Sequence, residues 1–374
     1  MIAIQFADGG APMLWRAKFS FLLTGALLGS FLSLFSTAVA QSNAFSQLVE
    51  AAKAEVEKKG GKLTIGITWT DAQAKPVLEE FKKEFPFIQT ISFVRLRTVE
   101  QMQRMLMEFK SGRPPDIDIP FISNELWPEY IKEKMFLVPR FPYKDLFKSL
   151  PQGWVQPDPR SLDPQGLYLA STGGARGIAY NKNLVRADQA LKGWDDCLDP
   201  KWRGKIIYDP RATLAAFQHD PKTRDWYLKW LKGLIANKVV LNRGMGENLE
   251  KVAAGEYVIS CTANYHNAMP MIDEGAPLVF LLPDPFILDV TTEMHVVRWS
   301  TTPAATQLFA LWLATRAQPL IEKTSYRGFP WIPTSRKYPM AKGKYMAVCG
   351  ADCAIKLEQY SEEHAKILGL PGAR

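Results

Sequence analysis

The sequence predicts an α/β protein whose sheets are covered by helices, and three observations carry that expectation. Residues 62–121 pass through strand-like and helix-like patterns in the order βαβαβ. Residues 255–283 repeat the theme as strand, helix and strand, and Gly- and Pro-rich stretches punctuate the connections. A strand-helix-strand unit calls for a parallel sheet with helices packed on it.

The chain opens with a segment that reads as separate from this fold. Arg16 and Lys18 precede an apolar run over 19–35, which ends in Ala38-Val39-Ala40 before Gln41. A basic start, an apolar core and a small-x-small end mark a secretory signal peptide. Residues 1–40 are therefore expected to be a cleaved signal, with Met13 an alternative start. The competing reading is a retained anchor, since the run is nearly long enough to span a bilayer; the Ala-x-Ala site and interspersed Gly, Ser and Thr favour cleavage. No later run approaches spanning length, so the mature protein is expected to be soluble and periplasmic.

Lys and Arg number 46 against 38 Asp and Glu, a formal net charge of +8. Basic residues are scattered, with no run longer than two, and export also argues against nucleic acid as a partner. The charge reads as solvated surface, with a lean toward anionic ligands. Four cysteines in an exported chain are candidates for pairing. Cys349 and Cys353 flank a short loop that a disulfide could close, whereas Cys261 lies in an apolar strand and reads as a small buried hydrophobe. The cysteine spacing does not match a zinc site.

Taken in order, residues 44–59 place Phe45, Leu48, Val49, Ala52 and Val56 on one helical face before Gly60-Gly61. A strand over 62–69, a helix from Pro76 to Phe85, a strand over 91–96 and a helix over 99–109 follow, and Ile117 to Phe121 forms a short strand. The stretch 150–166 reads as loop. Two strands, 167–170 and 177–180, are expected around a Ser171-Thr172-Gly173-Gly174-Ala175-Arg176 connection. A strand over 205–208, helices over 223–235 and 247–254, and the unit of strand 257–261, helix 264–274 and strand 278–282 come next. Pro303 to Thr315 is a helix with Pro at its first position.

Several blocks together resemble one family, the periplasmic solute-binding components of ABC importers, in the cluster that contains ferric-iron, phosphonate and sugar-phosphate binders. These are Asp116-Ile117-Asp118-Ile119 leading to Met135-Phe136-Leu137-Val138-Pro139, Arg176-Gly177-Ile178-Ala179-Tyr180-Asn181-Lys182-Asn183-Leu184, Trp194-Asp195-Asp196 with Leu198-Asp199-Pro200-Lys201-Trp202-Arg203-Gly204-Lys205-Ile206, and Thr302-Pro303-Ala304-Ala305. The resemblance covers about 62–333, and its tryptophan block is the most specific part; Trp194, Trp202 and Gly204 are expected to serve packing and a turn. It implies a two-lobed, type II-like periplasmic-binding-protein fold, each lobe a mixed sheet flanked by helices, with the ligand cleft between lobes. The first lobe is expected to hold 41–121 and about 285–330, the second 122–284 and about 331–374, with crossings near Phe121–Asn124 and Leu282–Pro285. The implied protein is a monomer that takes no cofactor, catalyses nothing, and hands a small molecule or ion to an ABC permease in the inner membrane.

Candidate ligand residues follow strand ends in both halves. The first half offers Thr68, Trp69, Ser123 and Asn124; the second offers Ser171, Thr172, Gly173, Arg176, Asp209, Asn264, Tyr265 and His266. The Ser171–Gly174 connection would present hydroxyls and open backbone N–H groups to an oxyanion, or would merely join two strands. Arg176 matches the second arginine of the family's S-G-R-x-R segment, with Gly174 in place of the first; it would clamp a carboxylate or phosphate, or stand as an ion-paired surface group. Trp69 would stack on an organic ligand or pack on a helix. Tyr265 aligns with the first of the adjacent tyrosines by which iron-binding relatives hold ferric ion, but His266 replaces the second. The pair Tyr265 and His266 is thus the metal set if Fe3+ is the transported ligand. The change favours a small organic or phosphorylated anion, with ferric iron the alternative. An exported hydrolase is the third reading; no G-x-S-x-G, H-E-x-x-H or P-loop motif occurs to support it.

Overall fold

Lys62–Ile67 (β1), Thr90–Arg95 (β2) and Ile119–Pro120 (β3) form a parallel sheet in the order β2-β1-β3. This is the βαβαβ arrangement expected from periodicity, seen in a computed structural model that describes residues 43–96, 99–122, 126–163, 165–211 and 214–371. Helix Ala44–Lys58 buries Leu48, Ala52 and Val56, and Asn43 caps it by accepting from the Ser46 N–H. Helix Asp71–Glu84 starts five residues before the expected Pro76. Thr70 and Gln73 close a reciprocal capping box there, and those two bonds set the start despite the proline inside the helix. Helix Val99–Lys110 turns Met102, Met105 and Leu106 inward.

The second sheet is larger and mixed. Its strands are Tyr168–Asn181 (β4), Ile206–Tyr208 (β5), Val240–Leu241 (β6), Ile259–Asn264 (β7), Leu278–Leu281 (β8), Phe286–His295 (β9) and Met346–Val348 (β10), in the order β10-β9-β4-β7-β5-β6 with β8 also on β4. The expected pair of short strands around a Ser171–Arg176 connection is instead the single strand β4. Its glycines serve close approach and make no turn. A Cβ on Gly173 would meet Leu288 Cδ1 at 2.6 Å and Phe329 Cδ1 at 2.8 Å, and one on Gly177 would meet the Leu281 carbonyl oxygen at 2.1 Å. The β7–helix–β8 unit also departs from the simple parallel picture. Both strands run antiparallel to β4, one on each side, so they are parallel to each other across an intervening strand. Strand β9, absent from the sequence reading, pairs along most of β4, and an antiparallel bridge from Phe121 to Met294 joins the end of β3 to it.

Helix Pro303–Ala314 is buried along nearly its whole length and packs on both the Ala44–Lys58 helix and β4. Trp194 and Trp202 are buried, and Gly204 takes a left-handed φ of 72°, in keeping with packing and turn roles. No helix among the described residues is long and apolar enough to cross a membrane.

All four cysteines pair. Cys349–Cys353 closes the local loop, and Cys197–Cys261 ties the Trp194–Leu198 turn to β7. Cys261 is fully buried, as its apolar strand suggested, but it is a cross-link and not a free hydrophobe. Replacing both Cys197 and Cys261 by alanine should lower the unfolding free energy by about 4 kcal/mol, against about 2 kcal/mol for the Cys349–Cys353 pair, because the longer loop frees more of the unfolded chain. Urea titration of the two double mutants decides it, and equal losses would contradict the loop-length account.

Two histidines are buried neutral. His295 stacks on Phe136 at 3.8 Å with both ring nitrogens unpartnered, and burial pushes its pKa down to about 3. His364 lies between the Tyr227 hydroxyl at 2.9 Å and the Tyr208 hydroxyl at 3.4 Å, and burial brings it to about 4. Below the ordinary histidine pKa of about 6.5 the unfolded chain takes up protons that the native chain refuses. Stability should therefore fall as pH drops from about 6.5 towards 4. His295→Phe should flatten that slope by up to one proton, measured as the pH dependence of the urea midpoint.

Candidate functional site

The carboxyl ends of β5 and β7 lie in the second sheet, and the residues just beyond them form the candidate site. Asp209 follows β5 and is fully buried. It accepts from the Arg211 N–H at 2.9 Å, Arg211 Nε at 3.1 Å, Arg211 Nη2 at 2.8 Å and the Gly244 N–H at 2.8 Å. Burial alone would raise its pKa, but these donors outweigh it and hold the carboxyl below the ordinary range. Asp209 therefore shapes its loop and orients Arg211, and its oxygens are engaged within the protein.

Asn264 ends β7 directly opposite Arg176 of β4, a register that brings both side chains to one face of the sheet. It occupies the N-cap of helix Tyr265–Asp273 without using its side chain to cap, and its Oδ1 is buried with no partner. Tyr265 opens the helix. It is fully buried, with its ring edge-on to Phe280 at 5.3 Å and beneath Lys337 Nζ at 4.3 Å. Its hydroxyl donates to Glu322 Oε1 at 3.5 Å, and burial followed by the Glu322 charge holds its pKa above that of a free phenol.

Glu322 and Lys337 form the buried ion pair behind this ring. Lys337 Nζ donates to Glu322 Oε2 at 2.6 Å and to the Tyr326 carbonyl at 3.0 Å, while the Gly328 N–H adds a third bond at 3.0 Å to the same carboxylate. Burial lowers the lysine pKa to about 8, against the raising effect of Glu322. His266, half-buried, sits within the field of Arg327, Arg176 and Lys337. Burial first, and then those three charges, keep its pKa well below the usual value, so the imidazole is neutral.

The remaining sequence candidates separate. Thr68 and Trp69 follow β1 of the first sheet; Trp69 is buried with its indole N–H unpartnered, beside the end of β2 where Arg95 keeps a buried Nε without a partner. Ser123 and Asn124 lie outside the described residues. The oxyanion turn expected at 171–174 is corrected by the strand found there. Ser171 Oγ donates to Leu169 and Ala310 carbonyls, Thr172 is fully buried, and the Gly173 N–H donates to the Arg327 carbonyl at 2.9 Å. Those groups build the strand's packing.

Sequence reasoning passed over Glu322, Arg327 and Lys337. Arg327 belongs to Tyr326-Arg327-Gly328-Phe329-Pro330-Trp331, a basic and aromatic stretch punctuated by Gly and Pro that could have flagged a ligand loop. Trp331 stacks on Phe329 at 4.2 Å and leaves its indole N–H unpartnered. Among the described residues no group of three or more His, Cys, Asp or Glu is placed to hold a metal ion. A surface cavity of about 370 Å³ lined by Trp194, Trp226 and Lys222 shares no residue with this cluster.

Residues 77–340 match the family model described as bacterial extracellular solute-binding protein. Iron uptake protein A1 of Synechocystis is 28% identical over 109 residues, a match spanning 28% of this chain and 30% of that protein. Among solved structures, apo ferric ion-binding protein A of Pasteurella haemolytica superposes with a TM-score of 0.63 at 14% identity, over 84% of this chain and 100% of that one. The spermidine/putrescine ABC transporter substrate-binding protein PotD of Streptococcus pneumoniae superposes with a TM-score of 0.56 at 17% identity, over 80% and 99%. These structures share a two-lobed periplasmic-binding-protein fold, and a family of binding proteins, not of enzymes, accounts for the missing catalytic motifs. The chain belongs to the bacterial extracellular solute-binding protein family.

Proposed function

We propose that this protein is the periplasmic solute-capturing component of an ABC importer, and that it takes a small anionic solute between its lobes for delivery to an inner-membrane permease. The observation that carries the anionic reading is the register that sets Arg176 opposite Asn264 at the head of a helix, with His266 in the field of Arg176 and Arg327. Two arginines and a helix N-terminus give that end of the sheet a positive potential, the Lys337 charge being offset by Glu322, and this favours an anion and works against a bare cation. In this reading the lobes divide as the family resemblance implies, with crossings near Phe121–Asn124 and Leu282–Pro285. The first lobe closes with Trp69 and Arg95 over the second, and ligand shifts the open–closed equilibrium because only the closed form makes both sets of contacts.

A ferric reading has its own support, because relatives carry iron in their names and Tyr265 stands where the family resemblance puts a tyrosinate ligand. The chemistry around that residue points the other way. Its hydroxyl is directed to a carboxylate, its ring lies under an ammonium group, and burial opposes ionisation.

Thermal-shift screening separates the two. A matching anion at a hundred times its dissociation constant should stabilise the protein by about 2.7 kcal/mol, and Arg176→Ala should weaken that anion about 10- to 100-fold. Stabilisation by neutral solutes alone would end the anionic reading. Ferric citrate should leave the wild type colourless; a visible band lost in Tyr265→Phe would establish the ferric one. Lys337→Met, which strands a buried carboxylate, should cost about 3–5 kcal/mol, and adding Glu322→Gln should restore part of it, as measured by urea unfolding.

A further inference from the structure

Positive charge accounts for only part of the chemistry at the head of the Tyr265–Asp273 helix. Asn264 is 9% exposed and its Oδ1 accepts no hydrogen bond from the protein. Its side chain does not cap the helix it precedes, although an asparagine at that position ordinarily would. Two residues on, His266 Nδ1 is also buried and unpartnered. With the ring proton on Nε2, the buried Nδ1 of this neutral imidazole is a bare acceptor. The site thus sets acceptors beside Arg176 and within the field of Arg327. An anion presenting only lone pairs would satisfy the cations and meet these acceptors with repulsion. An anion with its own O–H would satisfy both.

We infer that the site selects anions carrying a hydrogen-bond donor next to the charge, such as a monohydrogen phosphate or a 2-hydroxy carboxylate, over acceptor-only anions such as sulfate or an unsubstituted carboxylate. The inference rests on the anionic reading above. The arginines hold the charged oxygens, while either Asn264 Oδ1 or the bare imidazole nitrogen receives the single proton of the ligand's hydroxyl. A site built to pair with a hydroxyl discriminates strongly against the analogue lacking it, because its own buried polar groups are then left unpaired.

The test uses two near-isosteric pairs on the mature protein by titration calorimetry at neutral pH: inorganic phosphate against sulfate, and lactate against propionate. The donor-bearing member of each pair should bind at least about tenfold tighter, and Asn264→Ala should bring each pair within about threefold. His266→Ala is the second variant, removing the other acceptor, and it should narrow the gap in the same direction. Equal affinities within both pairs for the wild type would overturn the inference while leaving the anionic reading in place, since all four anions then bind. A preference that survives both substitutions would overturn it too, by locating the selectivity elsewhere. If none of the four anions binds, the anionic reading itself fails and this inference falls with it.

Discussion

The close approach of other chain segments to β4 is the constraint on which the second half of the molecule depends. Gly173 and Gly177 leave room for Leu288, Phe329 and the Leu281 backbone to come nearer than any side chain would allow. That closeness is on the side where β4 carries β8 and β9, while β7 pairs with its other edge. Arg176 lies between the two glycine contacts, so its position follows from them. The same crowding brings the Tyr326–Trp331 segment against the strand, with the Arg327 carbonyl on the Gly173 N–H. Two arginines distant in sequence are thereby delivered to one place by packing.

Charge in that place is arranged by burial as much as by number. The Glu322–Lys337 pair is internally neutral, yet it leaves its ammonium over the Tyr265 ring and its carboxylate on the phenol. Tyr265 is thus kept a neutral donor, and His266 a neutral ring among cations. Buried ion pairs contribute little net stability compared with apolar packing. Their retention here is better understood as fixing the protonation state of neighbouring groups.

Much of the architecture was legible because periodicity survives in amphipathic elements. The helices Ala44–Lys58 and Val99–Lys110 and the strands β1 and β2 lie close to where alternation and 3.6-residue spacing put them. β4 was misread because glycine signals both turns and close approach, and only the neighbours decide which. β9 was missed although Phe286-Ile287-Leu288 and Val290-Thr291-Thr292 are strand-forming, since Asp289 and Glu293 interrupt the apolar pattern. At the candidate site, Asn264, Tyr265 and His266 were singled out through the rule that ligands sit beyond strand ends, which needs only local pattern. Glu322, Arg327 and Lys337 arrive from more than fifty residues away, and no local signal marks a buried ion pair.

The Cys197–Cys261 bond ends three residues before Asn264 and spans a sequence separation of 64. Thiols remain reduced in the cytosol and pair in oxidising compartments. On the periplasmic assignment, the strand that presents Asn264, Tyr265 and His266 is cross-linked to the Trp194 turn only after the chain has crossed the membrane. Compartment chemistry then acts as a clock for the protein's maturation: on the proposed function, the loop assigned to the solute is cross-linked only on the side of the membrane where the solute would be found.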